Sequence, residues 1–208
     1  MKTEHVFFQC GELELEGQLQ FPDNHQKVPA VIVCHPHPLY GGDMDNNVVL
    51  IICNAIVENG SAALRFNFRG AGRSGGKFGG GIKEREDVKA AIDYLESRQE
   101  IDTNVIGLVG YSFGGSVAFQ AALEDKRVKK LALISPALDE GNWGDLKNYT
   151  NPKLILIGDS DEVVSFSRVK SNFTANKDFQ VVAGADHFWW GYEHEVGARI
   201  GKFFKSQG

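Results

Sequence analysis

The sequence predicts an α/β fold, with a mostly parallel, twisted sheet of about eight strands, an antiparallel N-terminal edge and helices on both faces. Short apolar runs recur from residue 30 onward, and segments with helical periodicity separate them. Alternating strands and helices imply a parallel sheet that the helices cover. Because 208 residues suffice for one substantial core, we expect a single domain over residues 1–208.

The first two strands are predicted to form the antiparallel edge. Residues 13–21 alternate between apolar and polar side chains, as a half-exposed strand does. Residues 5–10 are suited to pair with them in a hairpin that turns at Gly11.

The central strands are predicted from mostly continuous apolar runs, which are typical of strands buried on both faces. These runs cover residues 30–34, 62–68, 105–109, 131–134, 154–157 and 180–183. Helical patterns cover residues 47–59, 84–98, 113–124, 166–174 and 193–205. The loop at residues 139–151 has room for a short helix near 143–149, but it is too short for a second domain or a cap domain.

Residues 70–75 contain a literal G-x-G-x-x-G after a predicted strand, the pattern of dinucleotide-binding loops. Such a loop needs a helix N-terminus at the pyrophosphate and an acid about 20 residues further on, at the next strand. Here more glycines follow up to Gly81, and the acids at that distance lie inside the predicted helix 84–98. The pattern therefore indicates a structural turn rather than a nucleotide site.

Charge and composition exclude several classes of function. With 22 basic and 27 acidic residues, the net charge of −5 gives no basic surface for nucleic acid. Residues 1–6 lack the apolar core of a signal peptide, and no apolar run approaches the ~20 residues that span a bilayer. We expect a cytoplasmic protein that acts on a small molecule away from membranes, as a monomer or a small homo-oligomer.

The cysteines, Cys10, Cys34 and Cys53, are too few and too irregularly spaced for a disulfide framework or a zinc site. We expect them to be buried reduced thiols. No cofactor is predicted.

A serine flanked by glycines follows the predicted strand 105–109. Residues 110–114, G-Y-S-F-G, place Ser112 between that strand and a helix in the pattern G-x-S-x-G. The chain must turn so sharply there that side chains at Gly110 and Gly114 would collide, and the serine is left strained at the helix N-terminus. This turn would present Ser112 above the sheet as a candidate nucleophile.

A nucleophilic serine needs a base that takes its proton and an acid that orients the base. In this type of fold both are expected after the serine, on loops that follow later strands. The next-to-last predicted strand is followed by Asp159, Asp161 and Glu162, and the last one by His187. His194 lies inside a predicted helix, where an exposed surface residue is expected. His187 is therefore the predicted base.

These residues resemble the catalytic set of the α/β-hydrolase family. Ser112 in its glycine frame, Asp161 in a G-x-x-D loop and His187 match the family's positions, and the resemblance covers roughly residues 28–204. It implies that Ser112 is the nucleophile, Asp161 the acid and His187 the base, with Asp159 as the alternative acid.

The glycine pattern resembles a loop of the same family. Residues 67–74, N-F-R-G-A-G-R-S, are similar to the loop after the family's fourth strand, commonly D-x-R-G-x-G-x-S. Asn67 stands where aspartate is usual, which leaves the partner of Arg69 open. The resemblance makes this loop a structural neighbour of the active site.

Residues 34–46 contain the run H-P-H-P and resemble a compact, dienelactone-hydrolase-like subgroup of that family. The two prolines have no N–H, so the oxyanion donor of this loop must be the backbone of His37 or, as alternatives, of Leu39 or Tyr40. The other donor is the N–H of Phe113, directly after the nucleophile.

A metal cluster of His35, His37, Asp43 and Asp45 is an alternative hypothesis for the same loop. No third histidine stands nearby, and the serine, acid and base already supply activation without a metal. No metal site is therefore predicted, and we expect His35 to be packed and to hydrogen-bond the loop.

Aromatic residues near the site are candidate walls of a substrate pocket. Tyr40, Phe188 and Trp189 are the substrate-binding candidates, and Trp190, Phe78 and Trp143 are further ones. Aromatic residues at a junction between loop and helix also commonly belong to the core.

Together these residues predict a serine hydrolase that cleaves small carboxylic esters through an acyl-enzyme intermediate. Thioesters, lactones or short peptides are alternative substrates, because the same apparatus serves them. A protein that kept the fold without catalysis is a further alternative. Because no cap is predicted, we expect an open, shallow cleft that favours short acyl chains of about two to six carbons.

Overall fold

A computed structural model describes residues 2–23, 27–173 and 179–205. Within them one sheet of eight strands runs through the molecule. In chain order the strands are β1 Lys2–Cys10, β2 Leu13–Phe21, β3 Val28–Cys34, β4 Ala62–Phe66, β5 Ile101–Tyr111, β6 Val128–Ile134, β7 Lys153–Gly158 and β8 Phe179–Val182. Side by side, their order is β1-β2-β4-β3-β5-β6-β7-β8.

The predicted hairpin at the N-terminal edge is confirmed. β1 and β2 pair antiparallel, with Lys2 opposite Phe21 and Cys10 opposite Leu13. Gly11 turns the chain between them with a φ of 60°, a left-handed conformation that glycine adopts without steric cost. β2 is also antiparallel to β4, whereas the pairs from β4 through β8 are parallel.

Helices cover both faces of the sheet, as predicted. They are α1 Asn47–Glu58, α2 Glu84–Glu96, α3 Phe113–Glu124, α4 Glu140–Asn148, α5 Phe166–Phe173 and α6 Glu193–Phe204. One apolar cluster joins the sheet to α2 and α3, and a second joins it to α1 and α6. Neighbouring residues of β3 alternate between the clusters, with Ile32 in the first and Val33 in the second. This alternation follows from the two-residue period of a strand.

Several boundaries differ from the sequence prediction. β5 begins at Ile101 rather than at residue 105, and β6 begins at Val128 rather than at residue 131. β4 ends at Phe66, two residues early, because the N–H of Phe68 donates to Nε2 of His35 at 3.0 Å instead of to a neighbouring strand. α2 ends at Glu96, also two residues early. The predicted helix 166–174 ends one residue beyond the described part of the chain.

Only α4 lies between β6 and β7, so the described residues contain no cap domain. Some residues of the predicted single domain lie outside the described part, namely 1, 24–26, 174–178 and 206–208. None of the helices in the described ranges combines the length and the apolar character that crossing a bilayer requires. The loops after β3, β4, β5, β7 and β8 all leave the same edge of the parallel sheet, where functional residues of such folds collect.

Candidate active site

The turn from β5 into α3 holds Ser112 in a strained conformation. Its φ is 54° and its ψ is −118°, a left-handed backbone that non-glycine residues rarely adopt. A Cβ on Gly110 would overlap the carbonyl of Gly114, and a Cβ on Gly114 would overlap the carbonyls of Cys34 and His35. The predicted collision of side chains at these two positions is therefore confirmed. The chain can turn this tightly only because both positions are glycine.

Ser112, His187 and Asp161 form one hydrogen-bonded chain. His187 Nε2 lies 3.0 Å from Ser112 Oγ, and its Nδ1 lies 3.0 Å from Asp161 Oδ2. All three residues are buried, between 5% and 9% exposed. Because the carboxylate can only accept, it places the proton on Nδ1 and leaves the lone pair of Nε2 facing the serine hydroxyl.

The Asp161 carboxylate is held by the turn after β7. Its Oδ1 accepts hydrogen bonds from the N–H groups of Val163 at 3.0 Å and Val164 at 2.8 Å. Burial by itself would raise the pKa of Asp161, but the hydrogen bonds from His187 and from the Val164 N–H outweigh it and lower the pKa. The carboxylate thus stays charged opposite the imidazole.

The alternative candidates, Asp159 for the acid and His194 for the base, lie outside this hydrogen-bonded chain. Asp159 is exposed, and its Oδ1 accepts the N–H of Gly184 at 2.7 Å, which ties together the loops after β7 and β8. His194 is exposed on α6 with its ring beside Glu195.

Tyr111 is a buried anchor that the sequence analysis missed. Its hydroxyl donates to the backbone carbonyl of His187 at 2.8 Å, and burial raises the pKa of that hydroxyl, so it remains a donor. Its place directly before Ser112 was the available signal, since the end of β5 must lie beside the loop that carries the candidate base, His187.

The loop after β3 brings His37 next to the nucleophile turn. The His37 ring centroid lies 4.8 Å from that of Phe113, the first residue of α3, whose N–H has no partner within the helix. The Leu39 N–H donates to His37 Nδ1 at 3.2 Å, and the Tyr40 N–H donates to the His37 carbonyl at 3.0 Å. Both alternative oxyanion donors are therefore engaged within the loop, which favours the His37 N–H.

His35 is fully buried and bridges two loops. Its Nδ1 donates to the Pro36 carbonyl at 2.6 Å, and its Nε2 accepts the N–H of Phe68 at 3.0 Å. Burial lowers the pKa of His35 to about 4, although the hydrogen bond to Pro36 acts in the opposite direction. Because both ring nitrogens are engaged, His35 has no lone pair for a metal ion, which argues against the metal hypothesis for this loop.

The partner of Arg69, left open by Asn67, is an aspartate of α2. Arg69 Nε donates to Asp87 Oδ1 at 2.9 Å, and the Arg69 N–H donates to Asp87 Oδ2 at 2.9 Å. A third contact, 3.0 Å long, joins the guanidinium to Glu86. The charge that the family places at position 67 is therefore supplied from the helix.

Asn67 has a role that a carboxylate cannot fill. Its Nδ2 donates to Glu16 Oε2 at 2.9 Å, while its Oδ1 accepts the N–H of Met44 at 2.9 Å. An ionised aspartate only accepts, so it would face the Glu16 carboxylate without a donor. The pair Asn67 and Glu16 ties the loops after β3 and β4 to β2, the strand next to the edge.

The predicted pocket walls divide into exposed and buried rings. Tyr40 is 87% exposed and Phe188 is 54% exposed, and the Phe188 ring lies 5.6 Å from that of His187. Trp189, by contrast, is completely buried in the apolar cluster of α1 and α6, so its prediction as a substrate-binding residue is wrong. Trp143 is likewise buried, in the opposite cluster. The side chains point alternately outward and inward after His187, and the sequence does not show which ring faces the solvent.

The protein is of the class of lidless α/β serine hydrolases. Three features define this class: the sheet order, the strained serine between β5 and α3, and the lack of a cap within the described residues. The particular family follows from comparison with known proteins. The family described as X-Pro dipeptidyl-peptidase (S15 family) matches residues 11–156, and this chain belongs to it.

Relatives of similar length support the same assignment. An uncharacterized protein of Rickettsia prowazekii is 35% identical over 196 residues, which are 88% of this chain and 81% of that protein. An alpha-beta serine hydrolase homologue from Coxiella burnetii is 35% identical, with a TM-score of 0.87 over 97% of both chains. A serine hydrolase without lid from Xanthomonas campestris is 28% identical, with a TM-score of 0.82 over 98% of this chain and 94% of the other. The predicted α/β-hydrolase fold is thereby confirmed.

Proposed function

We propose that this protein hydrolyses small carboxylic esters through an acyl-enzyme, with Ser112 as nucleophile, His187 as base and Asp161 as the acid that orients it. The proposal depends on one observation above all. The hydroxyl of Ser112 and the carboxylate of Asp161 lie within 3.0 Å of opposite nitrogens of the same imidazole, at a strained turn. That arrangement activates a serine for attack on a carbonyl carbon.

In the first half of the reaction Ser112 Oγ bonds to the ester carbonyl carbon while its proton moves to His187 Nε2. The carbonyl oxygen becomes an oxyanion, which accepts hydrogen bonds from the N–H groups of Phe113 and His37. The bond from carbon to the leaving oxygen then breaks, and His187 gives its proton to the departing alcohol. The acyl group remains on Ser112.

In the second half a water molecule takes the place of the alcohol. His187 removes its proton as the water oxygen bonds to the acyl carbon, and the bond to Ser112 Oγ breaks. Ser112 regains its proton from His187, and the carboxylic acid leaves. Asp161 remains ionised throughout, because the hydrogen bonds from His187 and the Val164 N–H outweigh burial and lower its pKa.

A second candidate function is cleavage of short peptides. The matching family is described as X-Pro dipeptidyl-peptidase, and an amide yields to the same nucleophile through the same acyl-enzyme. Hydrolysis of an X-Pro p-nitroanilide faster than that of p-nitrophenyl butyrate would favour the peptidase over the esterase.

The proposal is tested by labelling with a fluorophosphonate, which reacts with activated serines. We expect one adduct, at Ser112, identified by mass spectrometry of the digested protein. Ser112→Ala should abolish labelling and lower kcat for p-nitrophenyl butyrate by at least about a thousandfold. Ser116→Ala, one turn further along α3, is the matched control and should keep both the labelling and the kcat for p-nitrophenyl butyrate.

The assignment of the acid is tested by a second pair of variants. Asp161→Asn should lower kcat by about a hundredfold or more, because the imidazole loses its orientation and its counter-charge. Asp159→Asn should retain most of the activity. An adduct away from Ser112, or a larger loss in Asp159→Asn than in Asp161→Asn, contradicts the proposal.

A further inference from the structure

Four rings beside the nucleophile turn, those of His37, Tyr40, Phe78 and Phe113, form one cluster, which we call the ring cluster. The centroid of the His37 ring lies 4.8 Å from each of the other three, and the rings of Phe78 and Phe113 are 5.6 Å apart. We infer that the ring cluster receives a planar aromatic group on the acyl side of the substrate. This inference rests on the proposed esterase function.

The ring cluster occupies the side of the site where the acyl group belongs. Phe113 and His37 carry the two candidate oxyanion donors, so the carbonyl of the substrate must point between them. The leaving oxygen takes its proton from His187 Nε2 and therefore lies on the side of His187 and Phe188. The remaining substituent of the carbonyl carbon, the acyl group, is left beside the rings.

The rings of the cluster are open to solvent, unlike the aromatic core. Phe66 and Phe68 are completely buried, whereas Phe78 and Phe113 are half-buried and Tyr40 is 87% exposed. Exposed Leu39 and Ile82 extend the apolar surface on the same loops. A contiguous apolar patch of this kind on a folded surface marks a place where something binds.

The ring cluster is also held in place by its backbone. A Cβ on Gly70 would lie 2.9 Å from the backbone nitrogen of Phe78, so two parts of the loop between β4 and α2 are in close contact. The fully buried Glu84 accepts the N–H of Gly79 at 2.6 Å and the N–H of Gly81 at 2.7 Å. Phe78 therefore lies between two anchored points, and a substrate ring meets a preformed surface.

Ring geometry favours an aromatic group over an aliphatic group of the same size. Aromatic pairs attract through their quadrupoles in tilted and edge-to-face arrangements, in addition to the area they bury. That additional attraction corresponds to about a two- to tenfold preference for an aromatic ring. A saturated ring would bury comparable area but would lack this attraction.

The inference is tested with matched methyl esters, methyl 3-phenylpropanoate and methyl 3-cyclohexylpropanoate, followed by titration of the released acid. Two methylenes separate each ring from the carbonyl, so the two esters have similar intrinsic reactivity. We expect kcat/KM to be about two- to tenfold higher for the phenyl ester. Benzyl acetate and cyclohexylmethyl acetate, which carry the rings on the leaving group, should differ little.

Variants test whether the ring cluster causes the preference for the phenyl ester. Phe78→Leu and Tyr40→Leu should each lower the ratio of phenyl to cyclohexyl kcat/KM toward one, whereas a general structural defect would lower both rates equally. Leu123→Ala, an exposed site on α3 outside the ring cluster, should leave the ratio unchanged. A wild-type ratio near one, or a preference confined to the acetate pair, overturns the inference while the esterase proposal stands. Absence of hydrolysis of all four esters, with Ser112 unlabelled, overturns both.

Discussion

At the scale of single residues, the loops around Ser112 are held by buried polar side chains with directional hydrogen bonds. His35 joins the loops after β3 and β4, and Asn67 joins them to β2. Glu84 accepts the N–H groups of Gly79 and Gly81 in the loop before α2. Each of these side chains satisfies backbone groups that no helix or strand satisfies. Substitutions here should therefore move the loops of the candidate active site as well as lower the free energy of unfolding.

His35 makes stability depend on pH. Its pKa in the folded protein is about 4, below the ~6.5 of an unfolded histidine, so the unfolded chain binds a proton first as the pH falls. Its contribution to stability is complete above about pH 6.5 and declines between pH 6.5 and 4, by at most about 1.4 kcal/mol per pH unit. His35→Gln should flatten the fall in unfolding free energy over this window, measured by urea denaturation.

Carboxylates titrate over the same pH range as His35. The contribution of His35 is therefore obtained by comparing how steeply the free energy of unfolding falls with pH in the wild type and in His35→Gln. The glutamine side chain of the His35→Gln variant can still accept the N–H of Phe68 but binds no proton. The variant is therefore expected to be less stable at pH 7.5 and less sensitive to acid. His194→Gln, at an exposed position, should keep the wild-type slope. Equal slopes for the wild type and His35→Gln would show that His35 is already charged in the folded protein near pH 5.

At the scale of elements, the N-terminus of α3 packs directly onto the end of β3. Gly114 makes this approach feasible, since its Cα faces the carbonyls of Cys34 and His35. The same contact brings the loop after β3, with His37, beside the nucleophile turn at Ser112. Glycine at 114 thus determines how close the two candidate oxyanion donors come to each other.

Gly114→Ala should lower the free energy of unfolding by about 3 kcal/mol, because backbone atoms rather than flexible side chains would have to move. The measurement is urea or thermal denaturation. Gly144→Ala is the matched control at an exposed position of α4, where nothing lies within 4 Å of the new methyl group. It should stabilise the protein by about 0.5–1 kcal/mol through helix propensity. A Gly114→Ala protein as stable as the wild type would contradict the close approach of α3 and β3.

At the scale of the whole molecule, the carboxyl edge of the sheet carries most of the exposed large apolar side chains. They lie on the loops after β3, β4, β7 and β8: Leu39, Tyr40, Ile82, Val163, Phe188 and Trp190. Within the described residues no cap covers them, since α4 alone fills the connection between β6 and β7. We therefore expect the cleft predicted above Ser112 to be open to solvent above.

An open cleft limits how much of a long acyl chain is buried. Each methylene contributes about 0.8 kcal/mol only while it has a wall to lie against. For p-nitrophenyl esters of linear acids, kcat/KM should therefore peak at about two to six carbons and fall for longer chains. A rate that keeps rising to twelve carbons would mean that a second subunit or a partner supplies the missing cover.

Much of the site is predictable from local sequence. The glycine pair around Ser112 requires a sharp turn wherever it occurs, and a run such as residues 154–157 becomes a buried strand through its own composition. The candidate acid and the candidate base follow from their places after successive strands. Trp189 shows where this reasoning fails, because a backbone with a φ of 60° turns its ring into the core while Phe188 stays outside.

The sequence by itself determined the alternation of strands and helices, the antiparallel hairpin at Gly11 and the strained turn at Ser112, because each depends on neighbouring residues. Only the tertiary structure decided that β2 lies beside β4, that Arg69 pairs with Asp87 and that His35 accepts the N–H of Phe68. Those contacts join residues far apart in the chain. Their geometry follows from how the whole sheet twists and packs, which no local pattern of side chains encodes.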